Sequence, residues 1–223
     1  MKKSVICFLL VIFGLVYGSI YPCTNSWTDY FDQLTQGTSS YLIENNKSKD
    51  LYLPRKVFDD SIDTAWVEGG KGDGIGEFII LNIDYLKLVK SICIMPGFAR
   101  NEYLFHANNR PKKLRMILFQ SDGKSLDRIQ KAKSIEIKNV IKFTEIIFNL
   151  KDERKYQCFD VPDYSAIYNK YPSVRMLLEI KSVYRGNKYH DTCISEIKLF
   201  DSNGKDLIKP IIDTLKLKYG TNR

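Results

Sequence analysis

The sequence predicts an all-β fold, an antiparallel jelly-roll β-sandwich with short helical or irregular N- and C-terminal extensions. Three observations predict it. Short apolar runs with period-two alternation recur between residues 51 and 200. Clusters of Gly, Asn, Asp and Pro separate them. No window of comparable length keeps a helical period. Alternation at period two gives a strand one buried face and one wet face, as antiparallel layers require.

Taken in order, residues 77–84 put Ile79, Leu81 and Ile83 on one face. Residues 88–95 contribute Ile92 and Ile94, and residues 112–120 contribute Leu114, Met116 and Leu118. Residues 140–150 form a longer β-branched and aromatic run, and residues 155–161 are a further candidate strand. Residues 175–183 align Met176, Leu178 and Ile180, and residues 195–200 align Ile197 and Leu199. The dipeptides Asp122-Gly123 and Asn203-Gly204 supply turn chemistry. Residues 163–173 read as a loop or short inserted helix. Beyond the last strand, Leu207, Ile208, Ile211, Ile212, Leu215 and Leu217 predict a small amphipathic helix lying on the sandwich, or a frayed tail.

The start of the chain reads as an export signal. Lys2 and Lys3 precede an almost wholly apolar run, and Val16-Tyr17-Gly18 offers a cleavage site before Ser19. The expected organisation is a signal at 1–18, an extension at 19–50 in which Trp27, Tyr30 and Phe31 pack against the domain, the sandwich at 51–200 and a tail at 201–223. The mature chain is therefore expected in the secreted fraction or the cell envelope, with no transmembrane segment. Cleavage removes Cys7 and leaves Cys23, Cys93, Cys158 and Cys193. An even count in an exported chain favours two disulfides, and three pairings stay open. Cys93 and Cys193 also fit as buried thiols in strands. The spacing lacks the close pairs of a zinc site.

The formal charge is +8. The lysines are scattered, and neither a basic helix nor a zinc-finger signature is present. The charge is expected to sit on a solvated surface that aids docking to anionic cells, without a nucleic-acid partner.

Three segments carry a family pattern. The first is Asp59-Asp60-Ser61-Ile62-Asp63-Thr64-Ala65-Trp66-Val67-Glu68-Gly69, continuing to Gly74-Ile75-Gly76-Glu77. The second runs from Gly97-Phe98-Ala99-Arg100-Asn101-Glu102 through Leu104-Phe105 to Asn108-Asn109-Arg110-Pro111-Lys112. The third is Val183-Tyr184-Arg185-Gly186-Asn187-Lys188-Tyr189-His190-Asp191-Thr192-Cys193-Ile194-Ser195-Glu196-Ile197. Together they resemble the galactose-binding-like (discoidin) superfamily, and most closely the glycan-binding, translocation-type domain of secreted bacterial NAD glycohydrolases. The resemblance covers residues 51–200. It implies a jelly roll with binding loops at one end, and carbohydrate recognition without catalysis. No glycohydrolase domain is expected within residues 201–223.

The resemblance also implies one structural Ca²⁺, an ion that takes hard oxygen ligands. The matching positions are Asp59, Ser61, Thr64 and Glu196, with the Cys193 carbonyl as a further donor. The opening turn reads Asp59-Asp60-Ser61 where the family has an Asp-Gly-Asp-like sequence. In the alternative role, Asp59 and Thr64 cap a turn and Glu196 accepts hydrogen bonds.

For the ligand site, the loops offer Glu68, Asn101, Arg110 and Asp191 beside Tyr103, Phe105, Tyr184 and Tyr189. Sugar hydroxyls need donors and acceptors in fixed directions, and pyranose C–H faces pack on aromatic rings. The expected ligand-binding set is Glu68, Asn101, Tyr103, Arg110, Tyr184, Tyr189 and Asp191. The competing role is a network bracing the loops, with Arg110 forking onto Glu68 or Asp191. Trp66 is expected in the core rather than as a sugar platform. His106 and His190 are expected at the surface.

Catalysis finds no support. Asp191 and Glu196, two carboxylates near in sequence, would lie about 17 Å apart along a strand, too far to flank one glycosidic bond unless the loop folds back. There is no nucleophile elbow and no phosphate-binding glycine loop. The expected function is a secreted, non-catalytic glycan-binding module. The alternative is a protein- or lipid-binding adhesin that keeps the sandwich without a sugar site.

Overall fold

The computed structural model describes residues 34–35, 37–86, 88–121, 123–132, 140–166 and 174–219. The expected signal, Cys23, Trp27, Tyr30 and Phe31 lie outside these residues. The strands are β1 (Gly37–Thr38), β2 (Trp66–Val67), β3 (Phe78–Asn82), β4 (Ser91–Pro96), β5 (Arg110–Ser121), β6 (Val140–Asn149), β7 (Gln157–Asp160), β8 (Val174–Tyr184) and β9 (Cys193–Phe200). The helices are α1 (Glu102–Ala107), α2 (Gly123–Ala132) and α3 (Lys209–Tyr219). Two antiparallel sheets form, one ordered β1-β3-β8-β5-β6 and the other β2-β9-β4-β7. The predicted alternation becomes the interface between them. Ile79, Leu81, Leu114, Met116, Leu118, Met176, Leu178 and Ile180 meet Trp66, Ile92, Ile94, Ile197 and Leu199 in one core.

Sequence periodicity misleads at two places. In β9 the pairing shifts, with Met95 opposite Glu196 and Pro96 opposite Ile194. Ser195 is the extra residue of a bulge, so Ile194 and Ile197 both reach the core although three apart. The bulged Ser195 accepts from the Ala99 amide (2.8 Å) and donates to the Gly97 carbonyl (3.0 Å).

The second place is Gly123. The dipeptide Asp122-Gly123 was expected to turn one strand into the next, but Gly123 opens the ten-residue helix α2. The reason lies in the sheet. β3 and β5 also bury Phe78, Ile80, Ile117 and Phe119 on the outer face, with Leu177 of β8. That second apolar face needs a cover, and α2 lays Leu126 and Ile129 on it.

Cys93 and Cys158 stand opposite each other on β4 and β7 and form a disulfide. Cys193 is a free, buried thiol packed with Ala65 and Val67. The expected second disulfide therefore does not involve Cys193, and the buried-thiol alternative applies there. The amphipathic tail is the helix α3, which buries Ile211, Ile212 and Leu215 and exposes Leu217. Among the described residues no helix is long and apolar enough to cross a membrane.

Strand directions bring four connections to one end of the sandwich: residues 68–77, 97–109, 150–156 and 185–192. The candidate site is built there.

Candidate functional site

These loops are tied by a buried polar network whose hub is Asn109, which is fully buried. Its side-chain amide donates to the His190 carbonyl (2.6 Å) and to Asp73 (3.3 Å), and its side-chain oxygen accepts from the Gly186 amide (2.7 Å). Gly186 must be glycine, since a Cβ there would sit 2.4 Å from the Ala107 carbonyl oxygen. Asp73 also takes Arg185 in two bonds of 2.8 and 3.1 Å. That guanidinium holds the Asp73 carboxyl below its ordinary value.

Glu68 joins the first of these loops to the last. Its carboxylate accepts from the Gly70 amide (2.7 Å) and the Thr192 amide (3.1 Å) and is wholly buried. Burial pushes its carboxyl up to about 7, opposed by the two amides and assisted by the charges of Asp191 and Glu77.

Arg110 is likewise taken up internally. It forks onto Asp152, not onto Glu68 or Asp191, and its remaining nitrogen donates to the Asn108 carbonyl at 2.8 Å. The β6–β7 loop supplies that carboxylate, and it also sends Arg154 to Glu102 and the Ala99 carbonyl. Gly97, at φ 73°, gives Arg110 its room: a Cβ there would meet Arg110 Cγ at 2.6 Å. Asn101 caps α1 by accepting from the Leu104 amide at 2.8 Å. Tyr184 donates its hydroxyl to the Leu150 carbonyl at 3.0 Å. Trp66 is fully buried and donates to the Ser40 carbonyl at 3.0 Å. Each of these groups gives at least one polar atom to the protein.

Two residues of the expected set, Tyr189 and Asp191, converge on a pocket of about 180 Å³. Its other walls are Leu42, Glu44, Lys47, Tyr52, Val67, Phe98, Leu104 and Asn108. Tyr52 and Phe98 meet edge to face at 6.5 Å. Tyr189 is 40 % exposed, and Lys188 sits 5.0 Å from its ring centre. Lys188 also reaches Tyr103, which is 61 % exposed on the neighbouring helix. Glu44 pairs with Lys47 at the rim. Burial, aided by the Glu44 charge, raises the Asp191 carboxyl above its ordinary value.

Four of the ten residues that line this pocket come from residues 42–52, a stretch without periodicity. It is held in place by β2: the Leu42 amide donates to the Val67 carbonyl (2.9 Å), and the Val67 amide to the Tyr52 carbonyl (3.5 Å). No residue of this stretch stood out in the sequence.

The four residues expected around calcium also come together, on the flank of β9. Thr64 donates to both oxygens of Asp59 (2.8 and 2.7 Å), and Glu196 accepts from the Ser61 amide (3.1 Å). Burial and the nearby Asp59 charge push the Glu196 carboxyl up to about 9. The donors are oxygen atoms throughout, a set that suits Ca²⁺ and not a transition metal. Among the described residues no group of three or more His, Cys, Asp or Glu side chains is placed to hold a metal ion.

Two antiparallel sheets, a bulged closing strand and a pocketed loop end define a discoidin-type, galactose-binding-like sandwich. The chain belongs to the family described as the NAD glycohydrolase translocation F5/8 type C domain, whose model matches residues 29–200. That domain is non-catalytic, and the chain is accordingly a non-enzymatic module. No curated protein matches it. Among solved structures it is similar to the mycobacterial arabinofuranosyltransferase AftD, at TM-score 0.44 and 11 % identity over 76 % of this chain. The chain spans 10 % of that protein's length. It is also similar to the family 32 carbohydrate-binding module of C. perfringens NanJ, solved with galactose (TM-score 0.38, 12 % identity, 69 % of this chain and 88 % of that one). A third likeness is to CBM32-1 of a family 31 glycoside hydrolase from Clostridium perfringens (TM-score 0.37, 10 % identity, 77 % and 99 %).

Proposed function

We propose that this chain is an exported glycan-binding module that seats one sugar ring in the pocket between Tyr52, Phe98 and Tyr189. The observation that carries the reading is that pocket. It combines three aromatic walls with Asp191, Asn108 and Glu44 at the end of a rigidly braced sandwich. Flat apolar faces take the C–H side of a pyranose, and the few polar groups fix its orientation. The natural partners are glycans on cell-surface or matrix components, met after export through residues 1–18. Calorimetric titration of the folded mature chain against a panel of mono- and oligosaccharides tests it. Saturable binding that disappears in Tyr189→Ala supports the reading, and a full panel without binding overturns it.

We propose further that Asp59, Glu196 and neighbouring backbone oxygens hold a structural Ca²⁺. The Asp59 charge repels that of the buried Glu196, and although Lys56 stands 3.6 Å from Asp59, a divalent cation would relieve both carboxylates.

A second reading, a lipid- or protein-binding adhesin, is favoured by Ile75. It stands 60 % exposed between Gly74 and Gly76, both at positive φ. Sedimentation with liposomes that sugars do not compete, abolished in Ile75→Ser, would decide for it.

A further inference from the structure

We infer that the pocket selects an amino sugar: a hexose whose free ammonium group pairs with Asp191. The inference rests on the glycan reading above and narrows its ligand class.

The first observation is what Asp191 lacks. The other polar residues of the expected set have protein partners: Glu68 two amides, Asn101 a helix amide, Arg110 a carboxylate, Tyr184 a carbonyl, and Tyr103 and Tyr189 the Lys188 ammonium. Asp191 is half-buried; its own backbone amide and the neighbouring His190 favour its charged form, but among the described residues no Lys or Arg forms an ion pair with it. Its backbone carbonyl is occupied by the Asn109 amide at 3.1 Å, so the residue's position is fixed while its carboxylate stays available. A carboxylate withdrawn from water without a counter-charge is costly, and a ligand cation removes that cost.

The second observation is the sign of the pocket. The chain as a whole carries +8. The pocket lining holds one Lys against one Glu and one Asp, leaving one net negative charge. Lys47 is neutralised by Glu44 at the rim. The other charged groups nearby are Lys188, which lies over the rings of Tyr103 and Tyr189, and His190, which turns to Asp73 at 3.5 Å. The mutual repulsion of Glu44 and Asp191 agrees with this sign.

The third observation is the aromatic wall. Tyr52, Phe98 and Tyr189 surround the carboxylate. A ring face attracts a cation as well as a pyranose C–H face. A hexosamine presents both, an ammonium for Asp191 and the rings, and C–H bonds for the rest of the wall. The N-acetylated sugar offers a neutral amide, and the parent hexose a hydroxyl. Both can hydrogen-bond to Asp191 but cannot neutralise it. A charged donor strengthens such a bond enough for roughly tenfold tighter binding.

The test uses the folded mature chain at pH 6.5, where the amine is protonated. Glucosamine and galactosamine, their N-acetyl forms, and glucose and galactose are titrated by NMR or calorimetry. Roughly tenfold tighter binding of an amino sugar than of its N-acetyl and neutral counterparts is expected. The preference should shrink as salt is raised and vanish in Asp191→Asn. That variant is expected to fold, because the Asp191 carboxylate takes a bond only from its own backbone amide, which an Asn oxygen can also accept, and a thermal melt verifies it. Equal binding of all three forms overturns the amino-sugar inference and leaves the glycan reading standing. A preference that persists in Asp191→Asn also overturns it. No binding of any sugar, with the Tyr189 resonances unmoved, overturns both.

Discussion

The guanidinium of Arg110 grips the carboxylate of Asp152 through two parallel bonds, Nε to Oδ1 at 2.7 Å and Nη2 to Oδ2 at 2.8 Å. Arg110 is 4 % exposed and starts β5, whereas Asp152 belongs to the loop between the edge strands β6 and β7. The pair therefore locks the two halves of the loop end together.

Removing one partner strands the other. Asp152→Ala leaves a buried guanidinium facing only carbonyls, and is expected to cost about 3 kcal/mol in urea unfolding. Arg110→Lys is not a mild change, because an ammonium cannot form the fork and also reach the Asn108 carbonyl. A loss below about 0.5 kcal/mol in both variants would show the pair to be of the weak surface kind.

Glu68 gives the fold a pH dependence with a definite sign. Its folded value of about 7 lies above the ordinary 4.5. Its contribution to stability is therefore complete below pH 4.5 and is lost as pH rises through 7. The shift corresponds to about 3 kcal/mol. Other raised carboxylates, Asp59 and Glu196 among them, act in the same direction, so a variant is needed to isolate this one. Glu68→Gln loses an acceptor for one of the two amides and is expected to be less stable at pH 5. Its deficit should narrow toward pH 8. Parallel stability profiles for the two proteins would exclude the ionisation of Glu68 as their cause.

The long strands were legible in the sequence because one face of each alternates. Arg110–Ser121 and Val174–Tyr184 emerge within two residues of the expected runs. The helix α2 was not read from the sequence, although the continuous apolar stretch Phe78–Leu81 needs cover on both faces. The turn signal of Asp122-Gly123 masked it. The pocket was legible only by halves. Tyr189 and Asp191 lie in a motif, but Glu44, Lys47 and Tyr52 owe their place to backbone bonds with β2, which leave no periodic trace. Arg110, the most conspicuous charged residue of the loops, found its partner in a segment that no motif marked.

The calcium proposal makes a thermal prediction. Millimolar Ca²⁺ should raise the melting temperature of the chelator-treated protein by several degrees, since binding only the folded state stabilises it. Mg²⁺ should do less, because it demands a tighter octahedral shell. In Glu196→Gln the Ca²⁺ response should disappear, while the variant's own melting temperature without metal stays near or above that of the parent. An unchanged melting curve with Ca²⁺ would leave Asp59 as the partner of Thr64 and Lys56, and Glu196 as that of the Ser61 amide.

The Cys93–Cys158 disulfide holds the four-residue edge strand β7 onto β4, across a sequence separation of 65. β7 has only β4 as a neighbour in its sheet, so its own hydrogen bonds are few. The cross-link narrows the unfolded ensemble and is expected to contribute about 2–4 kcal/mol. Cys193 supplies an internal control, because burial holds its thiol well above its ordinary value and out of solvent. Alkylation followed by mass spectrometry reads all three. The native protein should carry no label at Cys93, Cys158 or Cys193. Of these three, the denatured, unreduced protein should be labelled at Cys193 alone, and the reduced, denatured protein at all. Urea unfolding of a Cys93→Ala/Cys158→Ala variant then measures the stabilisation directly. Label at Cys93 or Cys158 without reductant would mean that β7 is held by its hydrogen bonds and by Phe159 stacked on Phe148, with centroids 4.6 Å apart, instead of by a covalent bond.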